Sequence, residues 1–284
     1  MFDGLYISGN KELCDKYMKK KIIIFILMAT LAGTIMSCGA EKANTNVEND
    51  KEKNKDNKEA DSSDNNTEDF FDWLTSDTIQ GLSEVGKKQE KIIIPEKCKQ
   101  IVGTLITKDS DVKEIEFAGK MTSDFVTSYI TESGSPVEKI EYPEGMEELA
   151  STSLYSLGKL KDIEFPSTLK KISDYSISSC NSIEKVDLSN TETEYIGSYA
   201  FQDCNSLKEI YLPKTIKEIG QYAFPKSVTD IYVPEEAELI TFAEDNVLLA
   251  NETAVRIHVR EGSWADNNFD NWFNKNPKYT KVYD

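Results

Sequence analysis

The amino-acid sequence predicts a β-rich solenoid with parallel, in-register strands and a cap at each end. A similar phrase recurs along the chain, as in CNSIEKVDLSNTETEYIG (180–197) and CNSLKEIYLPKTIKEIG (204–220). Each phrase contains two apolar residues separated by one residue, the period of a strand with one buried face. A proline often follows at once, where the strand must end because proline cannot donate a ladder hydrogen bond.

The spacing of the phrases sets the extent of the solenoid. Units that resemble LKEIYLP open at positions 89, 112, 137, 160, 183, 207, 228 and 254, with spacings of 23, 25, 23, 23, 24, 21 and 26 residues. Repeats of roughly 20 to 29 residues with this apolar spacing are the signature of a leucine-rich solenoid. No unit has a core of its own, so each is expected to bury its apolar edge against the next.

The apolar positions of each unit predict the interior. Positions four and six, counted from the opening residue, are apolar in every unit, as in Ile163 and Phe165 or Ile210 and Leu212. A second apolar set follows at positions ten and thirteen, and then often a small residue, such as Gly197 or Gly220, as a tight inward corner requires. Equivalent residues should form continuous interior columns, and Ile163, Val186 and Ile210 should share one of them.

The full pattern, hydrophobic-x-x-I-x-x-P-x-x-hydrophobic-x-x-I-G-x-x-A-F-x-x-C, resembles the BspA-type leucine-rich repeat of bacterial surface proteins. The resemblance covers residues 89–284 and is most specific over the units that open at 137 to 228. The ending IHVREGSWADNNFDNWF is similar to the terminal cap of that family, with a short helix and a buried tryptophan, although Arg260 replaces a proline. The unit at 112 departs from the pattern at Ala118 and Asp124.

Residues 1–37 are predicted to be a leader with a lipoprotein signal peptide. From Met18, which we take as the true start, three lysines precede an uncharged stretch from Ile22 to Ile35. These fourteen residues are too few to cross a bilayer core of about 30 Å at about 1.5 Å per residue. The stretch therefore fits the apolar region of an export signal.

The segment Ile35-Met36-Ser37-Cys38 resembles a bacterial lipobox, although Met36 is larger than the family usually carries. The resemblance implies that Cys38 is lipidated and becomes the mature N-terminus, with the several acyl chains that stable anchoring needs. Ordinary signal peptidase cleavage nearby is the alternative. We expect an exported protein, lipid-anchored to the outer face of the bacterial cell membrane, whose membrane contact is the lipid on Cys38.

Residues 38–67 are predicted to form the lipidated cysteine and a disordered stalk. Residues 41–69 contain no aromatic residue, and Val47 is the one aliphatic side chain larger than alanine. Such a segment cannot bury enough surface to offset the entropy of ordering its backbone.

Two caps are expected to cover the ends of the solenoid, which spans residues 89–253. The N-terminal cap is residues 68–88, where Thr67 to Leu74 is expected to form a short helix that lays Phe70, Phe71 and Leu74 on the open end. The C-terminal cap is residues 254–284, with Trp264, Trp272 and Phe273 packed in it.

Two exposed rows of charge offer a test of stacking. Position two alternates in sign from Glu90 to Lys208, and position three alternates from Lys91 to Glu209. Strands stacked about 4.8 Å apart would place each charge between two opposite charges. Each exposed pair contributes only roughly 0 to 1 kcal/mol, but a slip of one unit would turn attraction into repulsion.

Position five breaks that rule and supplies the candidate binding residues. Four carboxylates in a row, which should repel one another, are followed by two tyrosines and a histidine: Glu116, Glu141, Glu164, Asp187, Tyr211, Tyr232 and His258. Tyrosine offers a large contact area at low entropy cost. The hypothesis is that this face binds a basic or extended partner, a protein or glycan on a host or neighbouring cell. The alternative is a structural or scaffold lipoprotein whose solvated face has no dedicated ligand.

Other functions fit the composition poorly. A net charge of −17, from 50 acidic and 33 basic residues, argues against nucleic acid as a partner. Glu141 and Glu164 should lie about 5 Å apart, like a retaining glycosidase pair, but an open face has no pocket to raise the pKa of a carboxyl. We therefore predict no enzyme, no catalytic residue and no cofactor, and rank a hydrolase third.

The cysteines of the repeat region are expected to be structural. Cys180 and Cys204 occupy the same repeat position, and Cys98 occupies an apolar one. We expect buried thiols, with a disulfide between stacked units as the alternative. The spacing of a zinc site is absent, so no metal is predicted.

Overall fold

Short strands stacked at regular intervals make up the repeat region. The computed structural model describes residues 67–120, 130–238, 241–242, 254–272 and 278–284. In chain order the strands are β1 (Phe71–Trp73), β2 (Thr78–Leu82), β3 (Lys91–Ile94), β4 (Gln100–Ile101), β5 (Glu114–Phe117), β6 (Lys139–Glu141), β7 (Glu148–Leu149), β8 (Leu154–Tyr155), β9 (Asp162–Glu164), β10 (Lys171–Ile172), β11 (Ile177–Ser178), β12 (Lys185–Asp187), β13 (Tyr195–Ile196), β14 (Glu209–Tyr211), β15 (Glu218–Ile219), β16 (Asp230–Tyr232), β17 (Thr241–Phe242), β18 (Val255–Val259) and β19 (Tyr279–Tyr283). The helices are two 3-10 turns (Thr67–Phe70 and Gly86–Lys88), α1 (Trp264–Asn267) and α2 (Phe269–Trp272).

The front of the solenoid is built from the strands that the repeat pattern predicts. Strands β3, β5, β6 and β9 form a four-stranded sheet, here the N-terminal front sheet, and β12, β14, β16, β18 and β19 form a five-stranded sheet, the C-terminal front sheet. The strands within each are parallel and in register, so Ile115 pairs with Ile140 and Val186 with Ile210. The predicted β-rich solenoid with parallel, in-register strands is confirmed.

A second, narrower sheet runs along the side of the solenoid. It consists of β7, β10, β13, β15 and β17, and Ile172 in its middle pairs with Leu149 and Ile196. Strands β8 and β11 form a further two-stranded ladder. The sequence predicted the buried apolar set on this side but not its strand pairing, because two-residue strands show no alternation to recognise.

The corner after the side sheet has no room for a side chain. A Cβ atom at Gly197 would lie 2.4 Å from the backbone nitrogen of Asp174, and one at Gly220 would lie 2.5 Å from that of Ser198. The close approach of successive coils therefore requires glycine here, as the predicted inward corner implies.

The interior column predicted from Ile163, Val186 and Ile210 is continuous only in part. Val186 and Ile210 pair in register and are 2% and 0% exposed. In the described residues no strand pairing joins β9 to β12, and Ile163 is only partly buried. At this step the two coils are joined through the side sheet, where β10 pairs with β13. The prediction is wrong for the step from Ile163 to Val186.

The N-terminal cap is a β-hairpin rather than the predicted helix. The 3-10 turn ends at Phe70, and β1 then pairs antiparallel with β2. Strand β2 pairs parallel with β4 of the first unit, which places fully buried Ile79 at the end of the core. Phe71 is buried, but Leu74 is 58% exposed and does not cover the core. Aromatic residues favour strands, and β2 offers the partner that this segment needs.

The C-terminal cap combines two short helices with a final strand. The side chain of Ser263 accepts a hydrogen bond from the backbone N–H of Asp266 and so caps α1. Ala265 and Phe269 are buried, and Trp264 packs against the core while partly exposed. The predicted short helix is confirmed. Strand β19, which pairs parallel with β18 over five residues, was not predicted.

Several predictions fall outside the described residues. They concern the leader, Cys38, the stalk, Asp124, and the side chains of Trp272 and Phe273. The domain boundaries after residues 37, 67, 88 and 253 stay predictions. Within the described part of the chain, no helix is long and apolar enough to cross a bilayer.

Candidate binding face

All seven candidate residues lie on the two front sheets. Glu116, Glu141 and Glu164 are on β5, β6 and β9 of the N-terminal front sheet; Asp187, Tyr211, Tyr232 and His258 are on β12, β14, β16 and β18 of the C-terminal front sheet. Register places Glu141 beside Glu164, and Asp187, Tyr211, Tyr232 and His258 in one continuous row. The missing pairing between β9 and β12 separates the two groups.

The acidic group is largely neutralised by lysines of position three. Lys91 reaches Glu116 one unit further on, and Lys139 reaches Glu164 in the same way. Lys185 contacts Asp187 within its own strand at 3.1 Å. Glu141 has no ion pair within the described residues. The expected repulsion along position five is therefore wrong for three of the four carboxylates, because diagonal and same-strand contacts were not considered.

The charge rows of positions two and three pair less completely than predicted. Lys113 binds Glu90 and Lys161 binds Glu138, each at 2.7 Å between the nitrogen and a carboxylate oxygen. Among the described residues no ion pair joins Lys113 to Glu138, although the two occupy adjacent units. Each of these cations binds the preceding unit only, since one ammonium group reaches one side at a time. Register does place Glu114 between Lys91 and Lys139, as predicted, although direct ion pairs do not form on both sides of each charge.

The aromatic group forms a single stack. The ring centroids of Tyr211 and Tyr232 are 4.1 Å apart at an interplanar angle of 3°. Those of Tyr232 and His258 are also 4.1 Å apart, at 18°. The ammonium of Lys185 lies 4.2 Å from the Tyr211 centroid and covers the other end of the stack. The ring faces contact one another, so solvent and any partner meet ring edges and hydroxyls.

A buried carboxylate holds the stack in place. Arg256 donates two hydrogen bonds to Asp230, at 2.6 and 2.7 Å, and the side-chain hydroxyl of Thr229 donates a third at 2.8 Å. His258 Nε2 lies 2.8 Å from Asp230, and its Nδ1 lies 2.8 Å from Asp284 at the end of β19. The Asp230 side chain is only 7% exposed. Charge-assisted contacts at this burial fix both the imidazole and the final strand.

This network shifts the ionisation of its members. The hydrogen bonds from Arg256 hold the pKa of Asp230 well below its usual range. Burial alone lowers the pKa of His258, but its hydrogen bonds to Asp230 and Asp284 outweigh burial and raise that pKa. Burial in the stack, with hydrogen bonds to Tyr232 and Glu209, raises the pKa of Tyr211. Tyr211 therefore keeps its hydroxyl proton at neutral pH.

Part of the repeat region matches a known family. Residues 126–244 match the model described as BspA type leucine rich repeat region, in six copies. The matched residues, 126–244, are a BspA-type leucine-rich repeat region. No curated protein matches the chain.

Three solved structures illustrate what the BspA-type region is similar to. The pneumococcal vaccine antigen PcpA is 13% identical over 69% of this chain and 68% of its own, with a TM-score of 0.41. A leucine-rich repeat protein from Bacteroides ovatus is 16% identical over 68% of this chain and 63% of its own, with a TM-score of 0.37. A leucine rich cell surface protein from Faecalibacterium prausnitzii is 12% identical over 64% of this chain and 84% of its own, with a TM-score of 0.23.

Three side chains that shape the face were not predicted from the sequence: Asp230, Arg256 and Asp284. Asp230 and Arg256 occupy position three of consecutive units, so the charge-row rule would have found them had the rows been extended. Asp284 could not be found that way, since it follows a strand outside the repeat. The alternating YTKVYD was the available signal for that strand.

A second tyrosine column lies at the corner of the BspA-type coils, away from the predicted site. The Tyr175 and Tyr199 centroids are 5.0 Å apart at 5°, and those of Tyr199 and Tyr222 are 5.3 Å apart. All three residues have left-handed backbone conformations, with φ of 58°, 57° and 52°. This conformation costs roughly 1 to 2 kcal/mol for a residue other than glycine. Stacking of the rings offsets part of that cost.

The cysteines and the candidate carboxylate pair complete the description of the region. Cys98, Cys180 and Cys204 are buried free thiols, as expected. Burial and the neighbouring Cys180 thiol raise the pKa of Cys204, which keeps it protonated. Glu141 and Glu164 are register neighbours as predicted, but Glu164 is bound to Lys139. In the described residues no group of histidine, cysteine and carboxylate side chains is arranged to hold a metal ion.

Proposed function

We propose that this protein is an exported surface lipoprotein that binds a protein or glycan partner through its front sheets. The lipid would be attached to Cys38, and the predicted stalk would hold the solenoid away from the outer face of the membrane. The single observation that carries the binding role is the stack of Tyr211, Tyr232 and His258 between Lys185 and Asp230.

The stack supports binding because it is already ordered. Tyrosine side chains free in solution lose rotamer entropy when a partner immobilises them. Here stacking at 4.1 Å and the contact of His258 with Asp230 fix the row before any partner arrives. Partly exposed aromatic residues with this geometry provide contact area at low cost.

The shape of the stack also defines the kind of contact. Carbohydrate rings commonly pack on an open aromatic face, but these faces are occupied by neighbours. A partner would instead meet hydroxyl groups and ring edges, with the acids Glu141, Glu164 and Asp187 on neighbouring strands. Such a surface suits a partner that donates hydrogen bonds and carries positive charge.

Cell adhesion of the full-length chain tests the proposed face. The double substitution Tyr211→Ser and Tyr232→Ser should reduce adhesion about tenfold, since buried aromatic anchors dominate interfaces. The matched control is Tyr175→Ser with Tyr199→Ser, which removes two stacked tyrosines from the corner column. Circular dichroism checks that both variants fold. Equal adhesion of all three proteins would leave a scaffold lipoprotein without a dedicated ligand as the better reading.

The lipid anchor has a separate test. Cys38→Ala removes the thiol to which the lipid would be attached, so the exported protein should move from the membrane fraction to the soluble fraction. Mass spectrometry of the mature N-terminus identifies the modification. A variant that stays with the membrane would contradict anchoring through Cys38.

A further inference from the structure

The front of the solenoid is open at one step, between β9 and β12. At every other step of the front sheets from unit 137 onward, the position-six N–H donates to position five of the next unit, as Leu188 does to Tyr211. Phe165 makes no such bond to Asp187. Among the described residues, no backbone hydrogen bond joins β9 to β12.

The two strands are also farther apart than a paired ladder. In-register neighbours of a parallel sheet lie about 4.8 Å apart. Of the three Cα pairs that register would bring together here, Asp162–Lys185, Ile163–Val186 and Glu164–Asp187, at least one is more than 8 Å apart. The side sheet remains paired at this step, through β10 and β13. The opening is thus a wedge that faces the front, which we name the front cleft.

The side chains at position six change in size at the front cleft. The three units before it carry Phe117, Tyr142 and Phe165, and the Phe117 and Tyr142 rings stack at 6.1 Å. The next units carry Leu188 and Leu212 at that position, both buried. At this position the change from aromatic to aliphatic side chains falls between Phe165 and Leu188.

The walls of the front cleft are apolar inside and acidic at the rim. Ile163 and Phe165 are partly buried, whereas Ile140 and Val186 on the adjoining strands are 0% and 2% exposed. Phe117 on paired β5 is partly buried as well, so only the partial exposure of Ile163 is specific to the cleft.

Acids outnumber free cations at the rim. Asp162 and Glu164 stand on one side and Asp187 on the other. Lys185 is engaged by Asp187 and by the Tyr211 ring, and Lys161 is bound to Glu138 on the far side of its strand. Among the described residues no ion pair crosses the cleft.

We propose that the front cleft binds an extended, basic segment of a partner protein, which adds a strand between β9 and β12. This inference deepens the proposed function, because Glu164 and Asp187 belong to both sites. The unpaired strand edges would supply main-chain hydrogen bonds, Ile163 and Phe165 would contact alternate apolar side chains, and the acidic rim would attract Lys or Arg. Two ladders need roughly 9.6 Å between β9 and β12. Opening to that width breaks no hydrogen bond between the two strands, but it must displace the hydrogen bonds that join Ser182 to Gly158 and Glu192 to Ser167 on either side of them.

Labelled eight-residue peptides and the full-length chain provide the test, read by fluorescence anisotropy. The peptides alternate Lys with Val, alternate Glu with Val, or repeat the Lys–Val sequence with alternate backbone nitrogens methylated. The Lys–Val peptide should bind, and the Glu–Val peptide should not. Methylation should weaken binding about tenfold or more, because it removes main-chain donors. Equal binding of the methylated peptide would overturn strand addition.

Two variants locate the peptide. Asp162→Asn with Glu164→Gln removes two rim charges from exposed positions and should weaken Lys–Val binding about tenfold. The matched control, Glu147→Gln with Glu194→Gln, removes two acids that pair with lysines beside the side sheet and should leave binding within about twofold. Equal loss in both variants would show general charge attraction and overturn the cleft.

Hydrogen exchange reads the backbone directly. The amides of residues 162–165 and 184–187 should exchange more slowly with the Lys–Val peptide bound, and those of β16 should not change. No protection at the cleft overturns the proposal. A wild-type mass of twice 32.1 kDa in solution, reduced to one copy by the rim variant, would mean that a second copy occupies the cleft and would also overturn it.

The failure of each proposal has its own pattern. Adhesion of the variant with Tyr211→Ser and Tyr232→Ser reports on the aromatic face, and binding of the Lys–Val peptide by the wild type reports on the cleft. Loss of adhesion in that variant without any peptide binding by the wild type rejects the cleft alone. Peptide binding with unchanged adhesion rejects the aromatic face alone.

Discussion

The two front sheets share one backbone plan but hold their outward faces together differently. The N-terminal front sheet pairs exposed lysines and carboxylates, such as Lys139 with Glu164, whose side chains are 30% and 50% exposed. The C-terminal front sheet stacks aromatic rings and binds Arg256 to Asp230, which is 7% exposed. Exposed ion pairs contribute little because water screens them, whereas breaking a pair with a buried carboxylate costs more because it leaves an unpaired charge in the interior. The same fold therefore carries a weakly held acidic face beside a tightly held aromatic one.

The two halves of the solenoid also differ in the size of their buried side chains. In the C-terminal half, Phe201 and Phe224 form a fully buried column with centroids 5.9 Å apart. The equivalent positions of the preceding units hold Leu154 and Ile177. Larger buried side chains stabilise the coils beneath the aromatic face, while the acidic half ends in the front cleft.

The largest effect is expected from Phe201→Ala. The substitution leaves a cavity in the column and should lower the free energy of unfolding by about 4 kcal/mol, measured by urea denaturation. Phe201→Leu is the control, with a loss of about 1 kcal/mol because most of the volume remains. A loss below that of the leucine control would show that the aromatic column does not stabilise this half.

Asp230→Asn should have the next largest effect. It removes the charge that binds Arg256 and His258 and should cost roughly 3 kcal/mol, because the remaining groups stay partly buried and unpaired. Faster hydrogen exchange should be confined to β18 and β19. Asp162→Asn, an exposed acid of the other sheet, should cost less than about 0.5 kcal/mol. If both variants lost the same free energy of unfolding, the buried contacts of the C-terminal front sheet would be no stronger than the exposed ones of the N-terminal front sheet.

A smaller effect is expected from raising the pH through the pKa of His258. That pKa is raised in the folded protein, so its contribution to stability is complete below the unfolded pKa of about 6.5 and is lost as pH rises through the folded value. Unfolding by urea between about pH 5.5 and pH 8.5 should show this loss, and β19 should exchange faster at the upper end after correction for intrinsic rates.

His258→Asn is the control for the pH dependence. Asp230, whose pKa is lowered by its hydrogen bonds with Arg256, titrates below this range, and His258 is the single histidine of the chain. In this variant the free energy of unfolding should therefore no longer fall as the pH rises through this range. If wild type and variant had the same slope, the contacts with Asp230 and Asp284 would not be the cause.

The smallest effect is expected from Lys139→Gln. It removes the contact with Glu164 on the acidic face, which is worth about 0 to 1 kcal/mol at this exposure. The thermal midpoint should fall slightly, and the difference from wild type should shrink at high salt. Lys159→Gln is the reference, because Lys159 has no ion pair among the described residues. A loss comparable with that of Asp230→Asn would show that exposed pairs hold this sheet as firmly as buried ones.

The candidate face could be predicted only in outline. Period and strand alternation placed Glu141 beside Glu164 and Tyr211 beside Tyr232, because an in-register stack makes equivalent positions neighbours. The partners of these side chains could not be read from the repeat. Whether Lys139 pairs with Asp162 or with Glu164 depends on the length and direction of the side chains. His258 contacts Asp284, which follows a strand outside the repeat.

The sequence by itself determined the repeat, its strands and their order, since a local pattern of apolar residues, prolines and glycines is enough to shape one coil and to make it stack on its copy. Tertiary structure decided where that regularity ends: the hairpin that replaces a helix at the first coil, the strand that closes the last, and the cleft where aromatic and aliphatic interiors meet. These features depend on how volumes and pairing partners from distant segments fit together, and no single coil contains that information.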